Sequence, residues 1–98
     1  MIEQNGSGLR VSGSMLIADA PALLTAGRGF LRTLPTGGDE VVLHLAAVTE
    51  ADSSALALLF GLQRSARERG LALRLVNPPA GLLSLASLYG VADALPLA

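Results

Sequence analysis

The sequence predicts an α/β fold: a mostly parallel or mixed sheet of about four strands with three to four helices, forming one domain over residues 1–98. Three observations predict it. Short apolar runs bounded by Gly, Pro and Asn alternate with longer stretches that are apolar at helical spacing, the order expected of parallel strands joined by crossover helices. With 98 residues, 51% of them hydrophobic and 15% charged, the chain has enough apolar material for one compact core and is not of disordered type. No internal repeat or linker divides it.

Each element can be justified in order. Leu9 and Val11, with Met15 and Ile17, read as a short strand pair or hairpin around Gly13. Asp19 reads as a helix N-cap, with Pro21 in the first turn, where its missing N–H costs nothing. Leu23, Gly27, Phe30, Leu31 and Leu34 then fall on one face of a first helix, ended by Pro35-Thr36-Gly37-Gly38. Glu40 to Ala47 (EVVLHLAA) is nearly all apolar and reads as a strand buried on both faces. Asp52-Ser53-Ser54 opens a second helix that runs to about Arg69 and stops at Gly70. Leu71 to Val76 is the next buried strand, broken by Asn77-Pro78-Pro79. Leu82, Leu85, Ala86 and Tyr89 share a face of a third helix stopped by Gly90, and Val91 to Leu97 forms a final short turn or helix.

The second helix carries the candidate site. Ala55, Leu59, Leu62 and Ala66 make its core face, flanked by Leu56 and Leu58. The opposite side holds Ala57, Phe60, Arg64, Arg67 and Glu68. Phe60 is out of place there: an aromatic beside Arg64 and Arg67 has the composition of a protein interface, and the alternative is that its ring tucks against a neighbouring loop. Asp52, Ser53 and Ser54 sit at the helix start, among free N–H groups and the positive end of the helix dipole. All three are good caps, and a phosphate on Ser53 would also be well placed there.

Other chemistries find no residues. Net charge is -1, with no basic patch to neutralise a phosphate backbone, so nucleic acid is disfavoured as a partner. Without cysteine there is no disulfide, thiolate nucleophile or zinc–thiolate site. The only histidine, His44, lies in an apolar strand and reads as a hydrogen-bonded structural residue. Glu50 and Asp52 flank a loop, and Asp19, Asp39, Glu40 and Asp93 sit at element ends, as caps and turn residues do. Gly6-Ser7-Gly8 and Gly37-Gly38 are too short for a phosphate-binding loop. No catalytic residue, metal site or cofactor is expected. No apolar run approaches the roughly 20 residues that span a bilayer, nor is there a secretory leader, so a soluble, cytoplasmic protein is expected. Its mean hydropathy of +0.54 is high enough to imply exposed apolar surface, and hence a protein partner.

Two stretches carry a resemblance. Val48–Leu59 (VTEADSSALALL), followed by a Gly-ended helix and the strand LALRLVN, resembles the STAS domain, whose second helix opens on Asp-[Ser/Thr]-[Ser/Gly]-Gly-Leu. Asp52, Ser53, Ser54, Ala55 and Leu56 occupy those positions. Leu85–Pro96 (LASLYGVADALP), with the Leu56–Leu59 run, is similar to the small STAS subunit of the bacterial phospholipid-transport ABC system (Mla). The resemblance implies a non-enzymatic accessory subunit that docks on a cytoplasmic ABC-type ATPase through its second helix. Ser53 would lie at the contact, and attachment to the inner membrane would be peripheral, through the partner. In the related anti-sigma-factor antagonists, the residue matching Ser53 is phosphorylated by a partner kinase, which switches binding off. That gives the alternative: an antagonist controlled at Ser53, with an anti-sigma factor or serine kinase as partner. Two departures weigh against the alternative. Gly13-Ser14-Met15-Leu16 stands where those proteins carry Gly-Glu-Leu-Asp, and Ala55 replaces the usual Gly. The partner-contact residues expected are Asp52, Ser53, Ser54, Phe60, Arg64 and Arg67.

Overall fold

A computed structural model describes residues 1–6, 8–37 and 39–97. Ser7 and Gly38, members of the two short glycine stretches, lie outside the described residues. The elements follow the order β1 (Ile2–Asn5), β2 (Gly8–Met15), α1 (Ala20–Arg32), β3 (Glu40–Ala51), α2 (Ser53–Glu68), β4 (Ala72–Val76), α3 (Ala80–Leu88) and a single 3-10 turn at Ala92–Ala94. The four strands form one sheet in the order β1-β2-β3-β4. β1 is antiparallel to β2, whereas β2, β3 and β4 run parallel. The α/β class, the element order and the mixed sheet agree with the sequence reading.

Three local expectations are corrected. The hairpin turns between β1 and β2, pairing Asn5 with Gly8, and not at Gly13. Gly13 lies inside β2 with φ +80, next to a register shift against β3, so its glycine serves the irregularity of a continuous strand. Second, Glu40–Ala47 is not buried on both faces. Val41, Leu43 and Leu45 are buried, while Val42 and His44 are half-buried and Ala46 is exposed. The helices cover only one face. On the other face Arg10 pairs with Glu3 at 3.3 Å, and Arg74 with Glu40. The strand looked uniformly apolar because β3 gains a residue on β2 twice, between the pairs Arg10–His44 and Ser12–Ala47 and again after Gly13–Val48. The inward phase moves from Leu45 to Val48, and small alanines fill the slip. Third, the Asp19 side chain does not cap α1. Its Oδ2 turns back to accept from the Ser14 hydroxyl at 2.6 Å and from Leu16 N–H at 3.0 Å, closing the β2–α1 turn.

The core unites Leu9, Val11 and Met15 of β2 with Val41, Leu43 and Leu45 of β3, Leu73 and Leu75 of β4, and the inner faces of the helices. From α2 it takes Ala55, Leu56, Leu58, Leu59, Leu62 and Ala66, the face predicted by spacing. Gly70 and Gly90 follow α2 and α3 with φ +69 each, the left-handed conformation that ends a helix. After the 3-10 turn, Leu75 N–H donates to the Pro96 carbonyl at 2.8 Å, and Leu97 bridges Leu75, covering the β4 edge.

The start of α2 is tied to the β2–α1 turn by one carboxylate. Asp52 Oδ1 accepts from Ser54 N–H at 2.8 Å and caps the helix, while Oδ2 accepts from Ile17 N–H at 3.0 Å, a partner 35 residues away in sequence.

These contacts set three expectations. Leu59→Ala opens a cavity at a residue with 0% exposure and should cost about 2–5 kcal/mol in urea denaturation. Arg64→Glu, on the exposed side of the same helix, should stay within about 0.5 kcal/mol, and equal losses would refute the helical phase. Asp52→Ala should cost about 2 kcal/mol, and Asp52→Ser should recover only the capping part, because a single hydroxyl cannot also reach Ile17. The Ser14 hydroxyl, and after it the Leu16 N–H, hold the Asp19 carboxyl below the usual carboxylate range. A lowered folded value means stabilisation that is full above the unfolded pKa of about 4 and is lost as pH falls through the folded one. Acid denaturation of Asp19→Asn should therefore show a shallower loss of stability below pH of about 4 than the wild type, and identical slopes would remove Asp19 from the account.

Candidate protein-docking site

The first turn of α2 emerges where β3 ends. Asp52 supplies the cap, so Ser53 does not: it is exposed, and its hydroxyl has no hydrogen-bond partner among the described residues. Ser54 gives its N–H to Asp52, and its half-buried side chain lines a neighbouring cleft. Of the three residues that look alike in sequence, one is committed to the fold, one is partly enclosed and one is free.

Two apolar clefts flank this turn. Between α1 and α2, Ile17, Ala20, Pro21, Leu24, Ser54, Ala57 and Leu58 line a cleft of about 370 Å³. On the other side of α2, Ser53, Leu56, Phe60, Tyr89 and Val91 line a cleft of about 270 Å³. Ala57, one turn beyond Ser53, is an exposed small residue between the two. The rims are apolar: Ile17 is 73% exposed and Tyr89 58%, with its neighbour Leu88 at 78%. Exposed large apolar residues are common singly; here several gather around one helix end, which makes it the candidate surface.

The expected contact residues divide accordingly. Arg64 and Arg67 are exposed, one and two turns along the helix from Phe60. Phe60 is not the free aromatic that its place on the wheel suggests. It is half-buried and packs against the core from the wall of the second cleft, because the segment after α3 closes over that side of α2. Tyr89, placed by spacing on one face of α3 with Leu82, Leu85 and Ala86, lies beyond the helix end and is exposed. Sequence spacing missed Ile17 and Tyr89 as surface residues. Their signal was an apolar side chain at the edge of an element, where periodicity has no phase to assign. His44 is half-buried on the open face of the sheet, with no side-chain hydrogen bond among the described residues, so the hydrogen-bonded role expected of it is not found.

Among the described residues, no group of three His, Asp or Glu could hold a metal ion. No helix among them is long and apolar enough to cross a membrane.

Comparison with known proteins bears on the family and the fold. No curated protein matches the sequence. Among solved structures, the anti-sigma factor antagonist SpoIIAA in its unphosphorylated form superposes with a TM-score of 0.71 at 13% identity, over 100% of this chain and 84% of that one. A structure described as Mglu matches with a TM-score of 0.58 at 27% identity, over 82% of this chain but only 20% of that much longer one. The family model described as Mlab, STAS domain matches residues 2–97. With a family match over nearly its whole length, the chain belongs to the MlaB-type STAS family of regulatory protein-interaction domains.

Proposed function

We propose that this chain is an accessory subunit that docks on the cytoplasmic ATPase of a phospholipid-transport ABC complex through α2, with the first turn of the helix at the centre of the contact. The observation that carries this reading is the apolar ground around the first turn, with Ile17 on one side and Tyr89 on the other of a crest made by the exposed Ser53 and Ala57. Small residues on the crest let another backbone approach closely. The clefts beside it accept apolar anchors, and Arg64 and Arg67 supply a charged rim. Asp52 serves by holding the turn in place.

A second reading, an anti-sigma-factor antagonist switched by phosphorylation of Ser53, is favoured by one observation: Ser53 is exposed and unused as a cap. A phosphate there would lie at the positive end of α2 and would place charge between two apolar clefts.

The test is reconstitution with the ABC-type ATPase of a phospholipid-transport system from the same genome. A stoichiometric complex should form with unmodified protein. Tyr89→Ser and Arg64→Glu should each weaken it by about 1–3 kcal/mol in a titration while leaving thermal denaturation nearly unchanged. Phe60→Ala should weaken both binding and folding, since its ring is shared between the cleft and the core. No complex, or one indifferent to all three substitutions, would reject the docking reading. Capture instead of a serine kinase that adds one phosphate to wild type but none to Ser53→Ala would replace it with the switch.

A further inference from the structure

A third cavity lies at the other end of α2, away from the two apolar clefts. Arg28, Leu31 and Arg32 of α1 and Ser65, Glu68 and Arg69 at the end of α2 line about 410 Å³. Two of the arginines are held in place. Arg28 Nε donates to Ser65 Oγ at 2.9 Å, and Arg69 Nη2 donates to the Leu34 carbonyl at 2.7 Å. Arg69 Nε is shielded from solvent and has no acceptor among the described residues. Nor, among those residues, does Glu68 form an ion pair with any of the three arginines.

Helix C-termini attract arginine in any case, so the size of that effect matters. Each helix end carries about −0.5 of an elementary charge. Two ends together with Glu68 offset about two of the three guanidinium charges and leave about one unbalanced. Carbonyl capping accounts for Arg69, which takes Leu34. It does not account for Arg28, a full turn before the end of α1, nor for Arg32, which is exposed without a partner among the described residues. The Ser65 hydroxyl accepts from Arg28, and its own proton remains free to be donated into the cavity.

We propose that this cavity binds a phosphate-class oxyanion, either inorganic phosphate or the phosphate monoester of a soluble molecule or lipid headgroup. Guanidinium groups bind such oxyanions through paired, charge-assisted hydrogen bonds, and the pre-set Arg28–Ser65 contact orients one of them without further ordering. The site does not rest on the docking reading, because none of its lining residues is among the proposed partner contacts.

The experiment is a titration of the isotopically labelled protein with inorganic phosphate, followed through the arginine Nε–H and Ser65 amide resonances. Saturable shifts at Arg28, Arg32, Ser65 and Arg69 are expected, with affinity that falls as sodium chloride is raised. Arg32→Gln removes an exposed group, so its thermal denaturation should match wild type while phosphate affinity drops about tenfold. Flotation with phosphatidylcholine vesicles, with and without phosphatidic acid, separates the sources. Flotation that needs phosphatidic acid and is lost in Arg32→Gln supports the site with a lipid headgroup as ligand. Phosphate binding without flotation supports it with a soluble ligand. Absence of a saturable response to phosphate, or equal affinity in wild type and Arg32→Gln, overturns the proposal whatever the vesicles do.

Discussion

The geometry of the candidate surface hangs on the two oxygens of Asp52. One caps α2 through Ser54 N–H, and the other takes Ile17 N–H from the turn between β2 and α1. Backbone N–H groups at a helix start and in a tight turn have no partner of their own and must find one. A single carboxylate that serves both fixes the distance between two elements far apart in sequence. Asp19 completes the turn from its other side by taking Leu16 N–H and the Ser14 hydroxyl. Ile17 is thereby held out from the surface, 73% exposed, as a consequence of how its own N–H and that of its neighbour are satisfied. Ser53 remains free because its neighbour does the capping.

Close packing of α1 on α2 sets the rest. A Cβ on Gly27 would stand 2.5 Å from Leu62 Cδ2, and one on Gly61 would stand 3.1 Å from Leu24 Cδ1. Each helix presents a glycine to a leucine of the other, so the axes approach more closely than larger residues would allow. That approach shapes both spaces between the two helices: the apolar cleft at Leu24 and Leu58 near their starts, and the arginine-lined cavity near their ends.

Much of this was legible in the sequence, for identifiable reasons. The α2 core face followed from spacing, because a 16-residue helix gives its periodicity time to declare itself. Asp52-Ser53-Ser54 was legible as a helix start, but not which of the three would cap, since Asp and Ser cap about equally well. The β3 alternation was hidden by two register slips that only pairing with β2 reveals. Whether Phe60 was exposed or tucked under a loop stayed open, because a helical wheel knows nothing of the segment after α3 that closes over it. The arginine cavity had only a faint signal, Arg28 with Arg32 and Ser65 with Arg69 four apart on their helices. Which helix faces which is a tertiary fact.

The parallel order of β2, β3 and β4 imposes a final constraint. Because α1 and α2 each return the chain between parallel strands, they point the same way, and their N-termini lie together at one end of the sheet. Charge has largely sorted with the dipoles: Asp19 and Asp52 at the starts, Arg28, Arg32, Arg67 and Arg69 toward the ends, with Glu68 the exception. The two ends of α2 are about 24 Å apart at 1.5 Å per residue. That is more than twice the Debye length of about 8–10 Å at physiological salt. A charge placed at Ser53 is therefore screened from one bound among the arginines, and the two ends cannot influence each other through solvent. Any coupling between them would have to run through the packed pair of helices, where Gly27 against Leu62 and Gly61 against Leu24 leave little room for one to shift without the other.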